Sequence, residues 1–154
     1  MIKAPLIVAA ALLLSSAFLF STGAQSQVNP GNLKWGPAPP SLPRGAQAAV
    51  LSGNPEKPGM FTLRLKFPPG YAVPPHSHPA DEHVTVISGQ LNLGMGQRVN
   101  RRRMASLVPG GFANAPARMD HYASTRSGAV VQITSQGPFA VTYVNPADDP
   151  RRRR

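Results

Sequence analysis

The sequence predicts an all-β domain built as an antiparallel sandwich or barrel. After residue 25 no stretch shows the 3.6-residue period of an amphipathic helix, whereas several short stretches alternate apolar and polar residues. These stretches are separated by glycine and proline, which number 14 and 18 in a chain of 154 residues. Short strands with turn residues at such spacing are typical of one β domain, and the length is sufficient for one hydrophobic core.

The first 24 residues predict a secretory signal peptide. Lys3 provides a basic start, an apolar run extends from Leu6 to Phe20, and small residues up to Ala24 provide a cleavage site. A membrane anchor is the alternative, but the run is shorter than the roughly 20 residues that span a bilayer, and no basic stop follows it. We therefore expect a periplasmic or secreted protein with no stable membrane span after cleavage.

Residues 25–44 are proline-rich, and we expect them to lie over the domain as an extended arm. Leu33 and Trp35 are the expected anchors of this arm, and the alternative for Trp35 is a place in the wall of a ligand pocket. The period changes to two from Gly45 onwards. A folded domain is therefore expected over residues 45–146, with residues 147–154 as a basic tail.

Period-two alternation marks the strands of that domain. The clearest case is 61–67, where four apolar side chains alternate with Thr62, Arg64 and Lys66. The other predicted strands cover residues 46–51, 83–88, 90–95, 112–116, 121–125, 129–135 and 139–144. Residues 98–103, which are rich in arginine, are expected to form an exposed connection.

The composition excludes disulfides and thiolate metal sites. The chain has no cysteine, so any bound metal must be held by histidine or carboxylate ligands.

The formal charge of +10 comes mainly from the arginines at 101–103 and 151–154. Outside these clusters and Lys3, eight basic residues stand against six acidic ones. No aromatic residues interleave with these arginines, so we expect no nucleic-acid partner. A solvated turn and a frayed tail explain the clusters, and contact with an anionic envelope surface is the alternative.

Four side chains near the middle of the chain predict a metal centre. His76 and His78 are two residues apart, so both point to the same face of an extended strand. Glu82 follows a turn that can return its carboxylate to the same centre, and His121 begins a strand one hairpin later. Three imidazoles and one carboxylate suit a divalent transition metal (Mn, Zn, Cu, Ni or Fe) and leave two positions of an octahedron open.

The residues beside these four are expected to have other roles. His83 has the opposite strand parity to Glu82, so it should face solvent or a back layer. Asp81 and Asp120 flank candidate ligands and could accept a hydrogen bond from an imidazole N–H, with an exposed turn position as the alternative. The candidates for the pocket wall are apolar or small, and core filling is their alternative: Val84, Val86, Met95, Phe112, Ala123, Thr125, Phe139 and Tyr143.

The motifs around these residues resemble those of the cupins. The spacing Gly70-x5-His76-x-His78-x3-Glu82-x6-Gly89 is similar to the first cupin motif, and Gly110-x5-Pro116-x-Arg118-x2-His121-x3-Thr125 is similar to the second. Arg118 stands where glycine is usual and Thr125 where asparagine is usual, although neither is a metal ligand in the family. The resemblance extends over roughly residues 45 to 145. It implies a double-stranded β-helix, the jelly-roll barrel of small single-domain cupins, with His76, His78, Glu82 and His121 around a metal in one mouth.

The resemblance also implies a range of activities, because cupins with this arrangement include dioxygenases, isomerases and decarboxylases. The first hypothesis is an enzyme of dioxygenase or isomerase type that acts on a small molecule, with Glu82 as a base. The second is a non-catalytic module that binds a metal or a small ligand, and the third is a domain that the metal only stiffens. An exported location favours manganese, copper, zinc or nickel over ferrous iron, and the pairing of cupins through edge strands implies a homodimer.

Overall fold

The structure is a computed structural model that describes residues 27–152. The predicted signal peptide (residues 1–24) and the last two arginines of the predicted tail lie outside the described residues. In the part of the chain that the structure describes, no helix is long and apolar enough to cross a membrane.

Eleven strands account for most of the regular structure between residues 27 and 152. They are β1 (Gly36–Pro37), β2 (Gln47–Ser52), β3 (Gly59–Phe67), β4 (Ala72–Ser77), β5 (Glu82–Gly89), β6 (Leu91–Met95), β7 (Ala105–Leu107), β8 (Phe112–Ala115), β9 (His121–Ser124), β10 (Ala129–Gly137) and β11 (Thr142–Tyr143). Single 3₁₀ turns occur at Pro30–Asn32, Arg101–Arg103, Pro146–Asp148 and Pro150–Arg152.

The strands form two sheets in which all pairs are antiparallel. The first sheet has the order β1-β2-β3-β10-β5-β8 and the second has the order β11-β4-β9-β6-β7. Consecutive strands alternate between the sheets along much of the chain, as in a jelly roll. The predicted all-β jelly-roll fold is therefore confirmed.

The apolar face of the predicted strand 61–67 forms part of the core between the sheets. Phe61, Leu63, Leu65 and Phe67 are all at least nine-tenths buried in β3. They pack with β5 and β10 residues such as Val131, which is 1% exposed. Full burial of such a side chain contributes roughly 1.5–3 kcal/mol, so this interior stabilises the scaffold on which the polar site is placed.

The structure differs from the predicted strand pattern at four strands. β4 is absent from the predicted strands, although the spacing of His76 and His78 implies an extended chain there. β1 and β7 have only two and three residues, too few for an alternating pattern to be recognised. The predicted strand 139–144 is reduced to β11, since the chain before it forms a loop. The arginine-rich connection is exposed as expected, with a 3₁₀ turn at Arg101–Arg103.

The arm packs against the jelly roll. Trp35 is partly buried beneath the Nζ of Lys66, which lies 5.9 Å from the ring centroid, so Trp35 acts as an anchor and does not line the histidine cavity described below. Further along the arm, Ala38 and Leu42 pack against the hydrophobic core.

The C-terminal segment is also attached. Arg151 donates hydrogen bonds from its guanidinium to the carbonyl oxygen of Val141 (3.0 Å) and to both carboxylate oxygens of Asp149 (2.8 Å each). The interpretation of a frayed tail is therefore wrong for Arg151. The sequence pattern could not reveal that the carbonyl oxygen of Val141 accepts a hydrogen bond from this guanidinium.

Candidate metal centre

Two sheets bring the four candidate ligands to one end of the core. His76 lies in β4, His78 follows β4 directly, Glu82 begins β5 and His121 begins β9. β4 and β9 are neighbours, with His76 opposite His121 in the register. That register shifts between Val73 and His76, where consecutive prolines have no N–H to donate to the ladder.

The four side chains are buried and close together. Their exposed fractions are 5% for His76, 4% for His78, 7% for Glu82 and 2% for His121. The imidazole ring centroids are 4.4 Å apart for His76 and His121, 4.9 Å for His76 and His78, and 5.1 Å for His78 and His121. One potential ligand nitrogen from each ring lies within 4.8 Å of the other two.

Backbone carbonyls fix the protonation of each ring. The Nδ1 atom of His76 is 2.7 Å from the oxygen of Pro74, that of His78 is 2.8 Å from Ala140, and that of His121 is 3.0 Å from Met119. Since a carbonyl oxygen only accepts, each Nδ1 carries the proton and donates it. The neutral form of each imidazole therefore keeps an unprotonated Nε2 with a lone pair.

Two of these Nε2 atoms, those of His78 and His121, are buried without a hydrogen-bond partner. Glu82 is the nearest counter-charge, with its Oε2 3.2 Å from Nε2 of His121 and its Oε1 3.7 Å from Nε2 of His78. Burying polar atoms without partners costs free energy, and protein interiors rarely tolerate it. Imidazole lone pairs beside a carboxylate match the donors that divalent transition metals prefer, so the residues fit a metal ion.

The charges of the metal-free cluster depend on burial and on mutual contact. Burial, reinforced by the neighbouring imidazoles, lowers the pKa of His76 to about 4. Burial also lowers the pKa of His78. For His121 burial acts in the same direction, but the adjacent Glu82 carboxylate outweighs it and raises the pKa of this imidazole.

For Glu82 the two effects on the pKa have the opposite directions. Burial raises the pKa of its carboxyl group, but the surrounding histidines, His121 first, outweigh burial and lower it. At neutral pH the cluster therefore holds a carboxylate together with unprotonated His76 and His78. Such a set can bind a cation without first releasing protons from these three groups.

A cavity of ≈ 50 Å³ adjoins the cluster. Fifteen residues line it, namely the four candidate ligands and eleven apolar residues: Leu42, Leu65, Phe67, Val73, Val84, Leu91, Leu93, Ala123, Val131, Ile133 and Phe139. The wall is thus apolar except at the cluster, as in pockets that hold a small organic molecule by a few polar contacts.

The expected pocket wall is only partly correct. Val84, Ala123 and Phe139 line the cavity, whereas Val86 and Thr125 are buried elsewhere. Tyr143 does not line the cavity, although its ring centroid lies 5.8 Å from that of His76.

The expectation for Met95 and Phe112 is wrong, because these side chains are 45% and 59% exposed. Met95 has the parity of the buried Leu93 but occupies the last position of β6. Phe112 begins β8, which is an edge strand, and the buried residue of that strand is Ala115.

The residues flanking the cluster form no hydrogen bonds with its imidazole rings. His83 is exposed and lies beside the ring of Phe112, as its strand parity predicts. Asp81 accepts a hydrogen bond from the N–H of Ala117, and Asp120 accepts one from the side chain of Gln97. Neither carboxylate bonds an imidazole, and the carbonyl acceptors that do so carry no signal in the sequence.

Comparisons with known proteins identify the family and the fold. Residues 24–140 match the protein family described as the ChrR Cupin-like domain. Among curated proteins, germin-like protein subfamily 1 member 7 of Arabidopsis thaliana is 33% identical over 95 residues, which are 56% of this chain and 42% of that protein. The chain thus spans less than half the length of this relative.

Solved structures show the same fold. The polyketide cyclase RemF of Streptomyces resistomycificus superposes with a TM-score of 0.67 at 17% identity, over 82% of this chain and 89% of that one. A putative acetylacetone dioxygenase of Methylibium petroleiphilum PM1 superposes with a TM-score of 0.65 at 20% identity, over 86% and 89% of the two chains. At these identities the likeness shows the fold alone. Because the family match covers most of the chain and the jelly roll agrees with it, this protein belongs to the ChrR Cupin-like domain family of the cupin superfamily.

Proposed function

We propose that His76, His78, Glu82 and His121 bind one divalent transition metal, and that the protein uses this metal to act on a small organic molecule. The observation that carries the proposal is the orientation of the three imidazoles. Each ring donates its Nδ1–H to a backbone carbonyl, and two of the Nε2 atoms, which offer a lone pair when the ring is neutral, are buried without a partner. Because the rings are already held in one orientation, reorienting them to bind a metal costs little free energy.

The proposed reaction is of dioxygenase or isomerase type. A bound divalent metal would supply Lewis acidity that polarises an oxygen atom of the substrate. The part that we assign to Glu82 is that of a base once its carboxylate has left the metal, because this carboxylate borders the cavity and stays ionised, since the histidines lower its pKa. The apolar wall would meanwhile exclude water from the reacting atoms.

Two fold neighbours support a reaction on a small organic molecule, since one is a polyketide cyclase and the other a putative acetylacetone dioxygenase. A module that binds a metal or a small ligand without turnover is the second candidate. One observation favours it: among the described lining residues, the eleven outside the cluster are apolar and offer no additional side-chain acid or base.

Elemental analysis of purified protein, combined with turnover assays, tests the proposal. We expect one transition-metal ion per chain in the wild type and loss of this metal in His76→Ala and His121→Ala. A panel of β-diketones and flavonols is then screened for metal-dependent oxygen uptake or isomerisation. If the wild type turns over a substrate and Glu82→Gln does not, the enzyme is supported. Tight ligand binding without product supports the binding module. Wild-type protein that contains no metal refutes both.

The proposal also includes export and self-association. The basic start, apolar run and small residues of positions 1–24 support export. The intact mass of protein purified from the periplasm should equal that of a chain whose first residue is Gln25. Light scattering of that protein tests the homodimer, which rests on resemblance to other cupins.

A further inference from the structure

We propose that Leu42 is the lid of the histidine cavity and limits it to small ligands. Leu42 belongs to the arm loop, defined here as residues 38–46 between β1 and β2. This residue would select ligands by size at the metal centre proposed above, so its role in selectivity depends on that proposed function.

Two tyrosine hydroxyls hold the arm loop on either side of Leu42. Tyr143 donates its hydroxyl to the carbonyl oxygen of Ser41 at 2.7 Å, and Tyr71 donates its hydroxyl to that of Pro43 at 2.6 Å. Within the loop, the N–H of Leu42 donates to the carbonyl oxygen of Pro39 at 2.9 Å, which closes a tight turn. Leu42 is therefore placed by contacts immediately before and after it in the chain.

Leu42 borders both the cavity and solvent. It lines the cavity together with the four candidate ligands, yet it is only partly buried. Tyr143, which holds the preceding residue, also has its ring 5.8 Å from that of His76, so the attachment of the loop is next to the cluster.

The cavity is too small for an organic substrate unless part of its wall moves. Its ≈ 50 Å³ has room for only a few water molecules, since one water needs roughly 10–15 Å³ of such space. Twelve of the fifteen lining residues lie in strands of the two sheets, and the other three are Leu42, His78 and Phe139.

Leu42 is the part of the wall that is best able to move. His78 is one of the candidate ligands, and Phe139 stacks on its ring with centroids 4.3 Å apart and packs edge-on against Phe61 at 5.2 Å. The N–H of Phe139 also bonds to the carbonyl oxygen of Pro55 at 2.7 Å. Leu42, in contrast, belongs to a loop whose tip is held by two side-chain hydroxyls, and hydrogen bonds of this kind can open without disturbing a sheet.

Chemical modification of the metal-free protein tests the lid directly. Diethylpyrocarbonate reacts with unprotonated imidazole nitrogens and is much larger than the cavity, so it reaches the cluster only when the lid is open. The exposed His83 is an internal reference within the same chain. Rates at His76, His78, His121 and His83 are measured separately by mass spectrometry of peptides.

We expect the three cluster histidines of the wild type to react much more slowly than His83. Leu42→Ala should raise their rates about tenfold, the change expected if roughly half of the transfer free energy of a leucine side chain holds the lid closed. Tyr143→Phe should raise them about fivefold, the size expected for one neutral hydrogen bond. Leu42→Phe should lower them, and His83 should react at the same rate in every variant.

Leu33→Ala is the matched control, because Leu33 is also a partly buried leucine of the arm but neither lines the cavity nor, contrary to its expected role as an anchor, is among the residues that pack against the core. It should react like the wild type. Circular dichroism identifies any variant that has lost the fold, and if Leu42→Ala is such a variant, Leu42→Phe and Tyr143→Phe carry the test. Equal cluster rates in the folded Leu42 variants and the wild type would overturn the lid.

Ligand size is tested on the cobalt-loaded protein, with azide and benzoate as probes and the visible cobalt spectrum as the readout. Leu42→Ala should bind benzoate about tenfold more tightly than the wild type does, by the same burial estimate, with azide unchanged. Equal benzoate affinity would overturn the size selection. If the wild type takes up no cobalt, the proposed metal centre and the proposed size selection are both refuted. The modification rates of the histidines still decide whether Leu42 closes the cavity.

Discussion

Acid should destabilise the metal-free protein through His76 by an amount that the structure allows us to estimate. Burial, followed by the neighbouring imidazoles, lowers the pKa of His76 from 6.5 to about 4 in the folded state. As the pH falls below 6.5 the unfolded chain binds a proton at this residue, while the folded protein does not do so until about pH 4. The stability associated with neutral His76 is therefore present above pH 6.5 and is lost as the pH falls towards 4. At about 1.4 kcal/mol for each pH unit of this interval, the loss is about 3 kcal/mol.

The assay is urea unfolding at pH 7 and pH 4 with a chelator present, followed by circular dichroism. Wild-type protein should lose about 3 kcal/mol more of its unfolding free energy between these pH values than His76→Gln, which cannot titrate at this position. His121 acts with the opposite sign because its pKa is raised: its contribution is present below pH 6.5 and is lost as the pH rises through the folded-state pKa. Comparing the two proteins removes most of the effect of groups that they share.

His83→Gln is the matched control, because His83 is exposed beside the cluster. It should lose as much stability as the wild type. An equal loss in wild-type protein and His76→Gln would refute the reasoning, since it would mean that His76 is not buried in its neutral form.

Three further substitutions test separate features. Arg118 has a φ of 62° and donates its N–H to the carbonyl oxygen of His78 at 2.8 Å, so Arg118→Gly should relieve the left-handed backbone and raise the unfolding free energy by up to about 1 kcal/mol in urea titrations; a loss of stability would contradict this. The hydroxyl of Thr125 is buried without a hydrogen-bond partner, so Thr125→Val should stabilise the protein by about 1 kcal/mol in the same assay, and destabilisation would indicate a partner such as water. Replacing Arg101, Arg102 and Arg103 by serine should leave metal content and melting temperature unchanged, because this turn is exposed; a marked drop in either would show that the turn supports the site.

The sequence predicted the grouping of the four candidate ligands better than it predicted the groups that support them. The i, i+2 spacing of His76 and His78 and the turn before Glu82 were sufficient to place these three together, because strand parity fixes directions over short distances. His121 was expected to join them from its place at the start of a strand one hairpin later, and its approach to His76 depends on pairing between strands far apart in the chain. The carbonyls that orient the rings could not be predicted, because every residue has one and only the fold selects which of them is near.

The wall of the cavity shows a second limit of strand parity. Val84 was placed correctly, but Met95 has the right parity and still reaches solvent because its strand ends there. The position of Leu42 could not be inferred at all, since the arm has no regular period and its path depends on two distant tyrosine hydroxyls.

The central claim is that three imidazole nitrogens and one carboxylate hold a single metal ion. X-ray absorption at the edge of the metal, on protein carrying one ion per chain, measures this directly. We expect three imidazoles bound at about 2.0–2.1 Å together with an oxygen at about 2.0–2.2 Å, and one imidazole fewer in His121→Ala if that variant retains any metal. A spectrum with no imidazole scattering, or one that is identical in wild-type protein and His121→Ala, would contradict the claim.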